Sequence, residues 1–274
     1  MKNILTLFLC LCAIAVFSQK KEKEIKYDKI YYNESKFESN DIIITLVDAV
    51  STDGETKFKL RITNKSGDFI LLKPEESKFI IDRKETNAAE RWVVVDPFGS
   101  SSRVINLKGK GYNNVKQYSF SLDGLYRIPN NNKGIPVPDF RLPVSQNQFS
   151  AGNFNCTLSK VVKETDKTEV KFKCTYTGDK VGIVYPSRIS VKMPDGNDYA
   201  TAHTADKPIL IYKGETESFV TGWNRMQGGA AMDMQKVEML IKWNDSFTEN
   251  EIQKIPGTIM ELTFNEKLSN EKGR

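Results

Sequence analysis

Apolar and polar residues alternate along most of this chain, and the alternation comes in paired runs. Ile42, Ile44 and Leu46 share one phase, Phe58, Leu60 and Ile62 share another, and Thr52-Asp53-Gly54 stands between them. A period of two interrupted by turn residues predicts a β-hairpin. A second hairpin follows: Phe154, Cys156 and Leu158 face one way, and Val170, Phe172 and Cys174 answer across Glu164-Thr165-Asp166. Pairing about residue 165 sets Cys156 opposite Cys174. Pairing about residue 53 sets Ile44 opposite Ile62, so the cysteines occupy core-facing positions whose counterpart is an apolar contact.

The two hairpins belong to a longer likeness. Residues 42–74 lie over 154–186 without a gap at an offset of 154 − 42 = 112, with identities at Thr45/Thr157, Leu46/Leu158, Val50/Val162, Thr56/Thr168, Lys59/Lys171, Thr63/Thr175 and Pro74/Pro186. Internal similarity of this kind predicts one module used twice. After the first hairpin, strands are expected at 69–72, 77–81, 91–95, 104–107 and 118–122. After the second they are expected at 182–185, 188–193, 208–212, 218–223, 236–243 and 258–264. Short strands separated by Gly, Asn and Asp turns indicate β-sandwiches. One helix is expected, at 249–255, with Thr248-x-x-Glu251 as a capping box and Pro256-Gly257 as the stop.

Residues 129–151 hold Pro129, Pro136, Pro138 and Pro143. A stretch so rich in proline cannot be a central strand, and it reads as a stiff connector whose apolar members pack on the modules. The resulting division is a charged segment at 19–37, a first sandwich at 38–128, the connector, and a second sandwich at 152–274. The hairpin with its Asn64-Lys65-Ser66-Gly67 turn and the Met193-Pro194-Asp195-Gly196 strand-and-turn resemble the immunoglobulin-like sandwich modules common in secreted bacterial proteins. That resemblance implies an all-β fold of two tandem immunoglobulin-like antiparallel sandwiches, and a fold of this kind hosts many functions.

The first eighteen residues, MKNILTLFLCLCAIAVFS, change the picture of where the chain works. Lys2, the apolar run Ile4 to Phe17 and Val16-x-Ser18 make the three parts of a secretory signal peptide. The run is shorter than the roughly 20 residues that span a bilayer. Cleavage after Ser18 would leave 274 − 18 = 256 residues, a net charge of +4 instead of +5, and only Cys156 and Cys174 of the four cysteines. An even pair in an oxidising compartment reads as a disulfide. The expected location is periplasmic or extracellular, with no membrane-spanning segment in the mature chain. An excess of +5 over 274 residues is too dilute to make nucleic acid the default partner.

Candidate chemistry is sparse. The single histidine, His203, has no nucleophile motif around it and no second imidazole with which to hold zinc, so it reads as a loop residue. Asp195, Asn197 and Asp198 supply oxygen donors, but Gly196 comes too early for a calcium loop, and turn chemistry explains them. Lys171 and Lys173 take the outward phase of a strand, where edge lysines deter unwanted pairing. Trp92, Trp223 and Trp243 are candidates for the core or for sugar stacking. Among them Trp223 precedes a glycine- and methionine-rich loop, which makes Trp223, Arg225 and Met226 the candidate binding residues. No catalytic residue, metal ligand or cofactor is expected. The function that follows is a non-enzymatic binding or structural protein of the bacterial cell envelope that recognises a protein partner. The alternative is a carbohydrate-binding accessory module using exposed aromatics.

Overall fold

The structure is a computed structural model that describes residues 26–130, 133–225 and 233–274. Within them the protein is all-β, built from antiparallel sheets. The signal-like leader at 1–18 and the start of the charged segment lie outside the described residues.

Both predicted hairpins form. Ile42–Ser51 pairs with Glu55–Asn64 and Phe154–Lys163 pairs with Lys167–Tyr176, with Ile44 opposite Ile62 and Cys156 opposite Cys174. Each hairpin carries a register shift, between Val47 and Val50 in the first and between Leu158 and Lys160 in the second. A third strand, Ser100–Lys108 or Thr216–Asn224, extends each sheet. Matching elements of the halves begin 112 residues apart through Phe69–Leu72 and Val181–Val184, and through the short 3-10 turns Pro74–Glu76 and Pro186–Arg188.

Opposite each hairpin sheet lies a second layer bent in the middle. Proline at the first position of each 3-10 turn cannot continue a strand, so Phe69–Leu72 ends there and Lys78–Ile81 resumes beyond it. The neighbouring strand breaks at the same level. In the first half Gly124 takes φ +72°, its carbonyl accepting from the Lys73 N–H, and in the second Asn244 and Asp245 take φ of 41° and 56°. Phe58 of the first hairpin meets Phe120 of this bent layer edge to face at 4.9 Å, and Phe172 meets Trp243 in the same way at 5.4 Å. These contacts seal two separate cores.

The strands Phe69–Leu72 and Val181–Val184 are buried on both faces. Ile70 and Leu72 enter the first core and Val184 the second. Phe69 and Leu71, joined by Ile128, meet Val181, Ile183 and Tyr185 in a third cluster between the halves. A continuous apolar run is the sequence form of such a doubly covered strand. The order through the molecule is therefore first hairpin sheet, first bent layer, second bent layer, second hairpin sheet.

Several sequence expectations change. The helix expected at 249–255 is absent: Phe247–Asn250 is a strand paired with Val181–Val184, and Thr248 and Asn250 are buried in it, bonded to each other at 3.0 Å. Pairing along the buried seam outweighs the local capping signal. Among the described residues the α-helix is instead Glu266–Lys272, capped by the Asn265 side chain, which accepts from the Leu268 N–H, and followed by Gly273. The segment 152–274 is not one sandwich. Gln253–Lys254 pairs with Leu125–Ile128, and Thr258–Thr263 pairs with Gln117–Leu122 over six registers, so the end of the chain completes the first sandwich. The first sandwich also begins before residue 38, because Ile30–Tyr31 and Ser35–Glu38 pair with Ile42–Ser51, and Tyr27, Ile30 and Tyr32 enter the core. The proline-rich segment is more than a connector. Phe140–Leu142 and Gln148–Ala151 are strands of the second sandwich, each at the edge of its sheet, where proline is tolerated.

Candidate binding surfaces

The cysteines are joined. Cys156 and Cys174 form a disulfide across the second hairpin with their Cα atoms 4.1 Å apart, buried in the second core. The bridge replaces the Ile44–Ile62 contact of the first hairpin.

Of the three candidate binding residues, Trp223 lies in the core, only 2% exposed, in phase with Phe219 on the inward face of its strand. It offers no face to a ligand, which corrects the expectation that it is a binding residue. Arg225 is exposed, and its N–H donates to the Asp166 carbonyl at the tip of the disulfide hairpin. Met226 lies outside the described residues. Trp243 is buried as well, its Nε1 donating to the Pro138 carbonyl at 2.9 Å.

The exposed tryptophan is Trp92, at 41%. It stands at the rim of the seam between the halves. Its ring meets Tyr212 of the second half edge to face with centroids 5.0 Å apart, and its Nε1 donates to Glu75. Lys73 Nζ sits 4.6 Å from the Trp92 centroid and 5.1 Å from that of Tyr126, a cation held between two π faces. Tyr126 donates to Glu76 at 2.6 Å, and that bond, aided by burial, pushes its phenol up to about 12. Val94, two residues on, and Phe98, in the turn after the strand, are also exposed, and Lys207 of the second half pairs with Asp96 between them in sequence. The sequence carried a signal for this. Val93 and Val95 take the inward phase, which turns Trp92 and Val94 out.

The remaining candidates have structural roles. His203 Nδ1 lies 3.3 Å from Asp206 in a shallow depression that also touches Glu169 and Lys207. Asp195 accepts from the Asn197 N–H and the Tyr199 hydroxyl, and the Tyr199 bond first, then the backbone bond, holds its carboxyl below the usual range. Among the described residues no group of His, Cys, Asp and Glu side chains is placed to hold a metal ion. A groove of about 410 Å³ opens at one end of the second sandwich, with Leu142, Met193 and Met239 below and Arg141, Lys192 and Glu238 around it.

Lys171 and Lys173 do not guard an edge. Their strand is central, flanked by Phe154–Lys163 on one side and Thr216–Asn224 on the other. Edge protection therefore does not explain them.

No family model matches the chain, and no curated protein matches it. Among the described residues no helix is long and apolar enough to cross a membrane.

Proposed function

We propose that this chain is an exported, non-enzymatic binding scaffold of the bacterial cell envelope that recognises a protein partner through the rim of the seam between its two sandwiches. The observation that supports this reading is the exposure of Trp92, Val94 and Phe98, at 41%, 37% and 75%, along one short strand and the residues that flank it. Exposed apolar residues scattered singly need no explanation, but large ones recurring along one stretch of chain with polar neighbours favour an interaction surface. Tryptophan is also among the residue types enriched at binding hot spots. The disulfide and the signal-like leader support export. The matched bounds of the two halves support a duplicated immunoglobulin-like module as the building unit.

The test is a photo-crosslinking residue placed at position 98 of the full chain, with cells irradiated and adducts resolved by mass. A discrete protein adduct is expected, and Trp92→Ala should weaken capture of that partner by more than tenfold, the order of a hot-spot truncation. No adduct, or one indifferent to Trp92→Ala, overturns the reading. The alternative, a carbohydrate-binding accessory module, rests on the same exposed indole braced by Tyr212. Glycan-array binding that disappears in Trp92→Ala, without a protein adduct, would put it first.

A further inference from the structure

The two outermost sheets carry matching basic stripes. On the outer face of the first hairpin sheet, Lys59 and Arg61 lie two residues apart on the central strand. On the second, Lys171 and Lys173 occupy the positions 112 residues further on, and Lys160 of the neighbouring strand lies directly opposite Lys171. Like charges in direct cross-strand register repel and cost stability. None of these five side chains makes an ion pair among the described residues, although Lys57, on the same strand as Lys59, is paired with Glu55. Hydroxyl side chains flank the stripes in register, Thr45 and Ser102 beside Arg61, Thr157 and Ser218 beside Lys173.

We infer that these two faces bind acidic polysaccharide, and that one molecule bridges two such chains. The charge sign selects an anionic ligand. The composition of the faces selects among anions. Protein interfaces are depleted in lysine and enriched in aromatic residues at their cores, and membrane-surface docking uses apolar side chains that enter the lipid. The faces in question present lysine, arginine and hydroxyl groups, with Glu169 two residues before Lys171 as an acidic neighbour and with Val104 beside Lys59 and Val220 beside Lys171. A flat, hydrated, cationic surface of this kind complements a hydrated polymer carrying carboxylate, sulfate or phosphate groups. Bridging follows from the layer order. The bent layers pack on each other through the seam cluster, so the hairpin sheets lie at opposite ends of the stack and their outer faces point apart. A single polymer segment cannot cover both.

Polygalacturonate is the probe, with neutral dextran as the uncharged control and vesicles of equimolar phosphatidylglycerol and phosphatidylethanolamine as the lipid arm. The full chain should bind polygalacturonate at low salt and release it as salt rises, since exposed charges are screened. It should also precipitate the polymer at intermediate protein ratios. Lys59→Gln/Arg61→Gln and Lys171→Gln/Lys173→Gln, checked for unchanged thermal midpoints, should each retain binding to short oligogalacturonates but lose precipitation. The fourfold variant should bind at least about tenfold more weakly, the order expected when several charges facing an anionic surface are removed. Trp92→Ala should leave all of this unchanged, which separates this inference from the seam reading. The inference is overturned if the chain ignores polygalacturonate, if it binds dextran or the vesicles as tightly, if the fourfold variant binds like the parent, or if either double variant still precipitates the polymer.

Discussion

Asp123 ties two distant parts of the chain together at a single side chain. One of its carboxylate oxygens accepts from the Gly124 N–H at 2.8 Å, and the same oxygen lies 3.0 Å from Lys254, tying the returning chain end to the break in the bent layer. The Gly124 bond first, then Lys254, holds its carboxyl below its ordinary value, with burial opposing slightly. A carboxyl depressed in the folded state adds stability above its unfolded value near 3.8, and that stability is lost as pH falls through the lower folded value. Asp123→Asn should therefore flatten the acid limb of a stability–pH curve. At neutral pH the variant should lose less than about 1 kcal/mol, because both partners are largely exposed and water screens the pair. Urea midpoints from neutral pH down through pH 3 give the measurement, and parallel curves for parent and variant would refute the assignment.

Elements that repeat a simple local pattern were legible in the chain, and those decided by distant partners were not. The hairpins follow from alternation plus Thr52-Asp53-Gly54 and Glu164-Thr165-Asp166, and their register and the disulfide come with them. Thr248-x-x-Glu251 satisfies a capping rule locally, but the strand there is fixed by Val181–Val184, more than sixty residues away. For Trp223 the glycine- and methionine-rich stretch that follows points to a binding loop, whereas its phase with Phe219 turns it inward, and the phase decides. The disulfide tests the hairpin itself. In the chain-entropy account, closing a loop with a sequence separation of 18 adds about 3 kcal/mol. At the same register the first hairpin has the apolar pair Ile44 and Ile62 in place of a bridge. Cys156→Val/Cys174→Val should thus keep the native near-ultraviolet spectrum and lose about 3 kcal/mol or less in urea unfolding. Loss of the fold in that variant would show that the bridge specifies the hairpin rather than strengthening it.

At the scale of the whole molecule the two sandwiches are not equivalent, and the path of the chain makes the difference. Among the described residues the strands of the second sandwich fall between Gln148 and Asn250, apart from Phe140–Leu142 just before them. The first sandwich needs Thr258–Thr263 from the far end of the chain. That strand covers the edge of Gln117–Leu122 and brings Met260 and Leu262 into the core. Glu266–Lys272 then packs beside Ile30–Tyr31, where Ser269 Oγ accepts from the Tyr31 N–H at 2.9 Å. A fragment of residues 26–128 would leave that sheet edge and the Phe120 side of the core open. A fragment of residues 133–252 would keep every described strand of its own sheets and expose the seam face of Val181, Ile183 and Tyr185 with Leu210 and Tyr212 beside them. Exposing one seam cluster costs less than removing a core strand, since hydrophobic stabilisation scales with the apolar area lost from the interior. The 133–252 fragment should therefore melt cooperatively and associate through its bared seam. The 26–128 fragment should lack a cooperative transition until a peptide of residues 251–274 is added. Calorimetry on both fragments reads the difference directly. A cooperative melt of 26–128 alone would show that the returning strand is an accessory, and that the first sandwich closes without the chain having passed through the second.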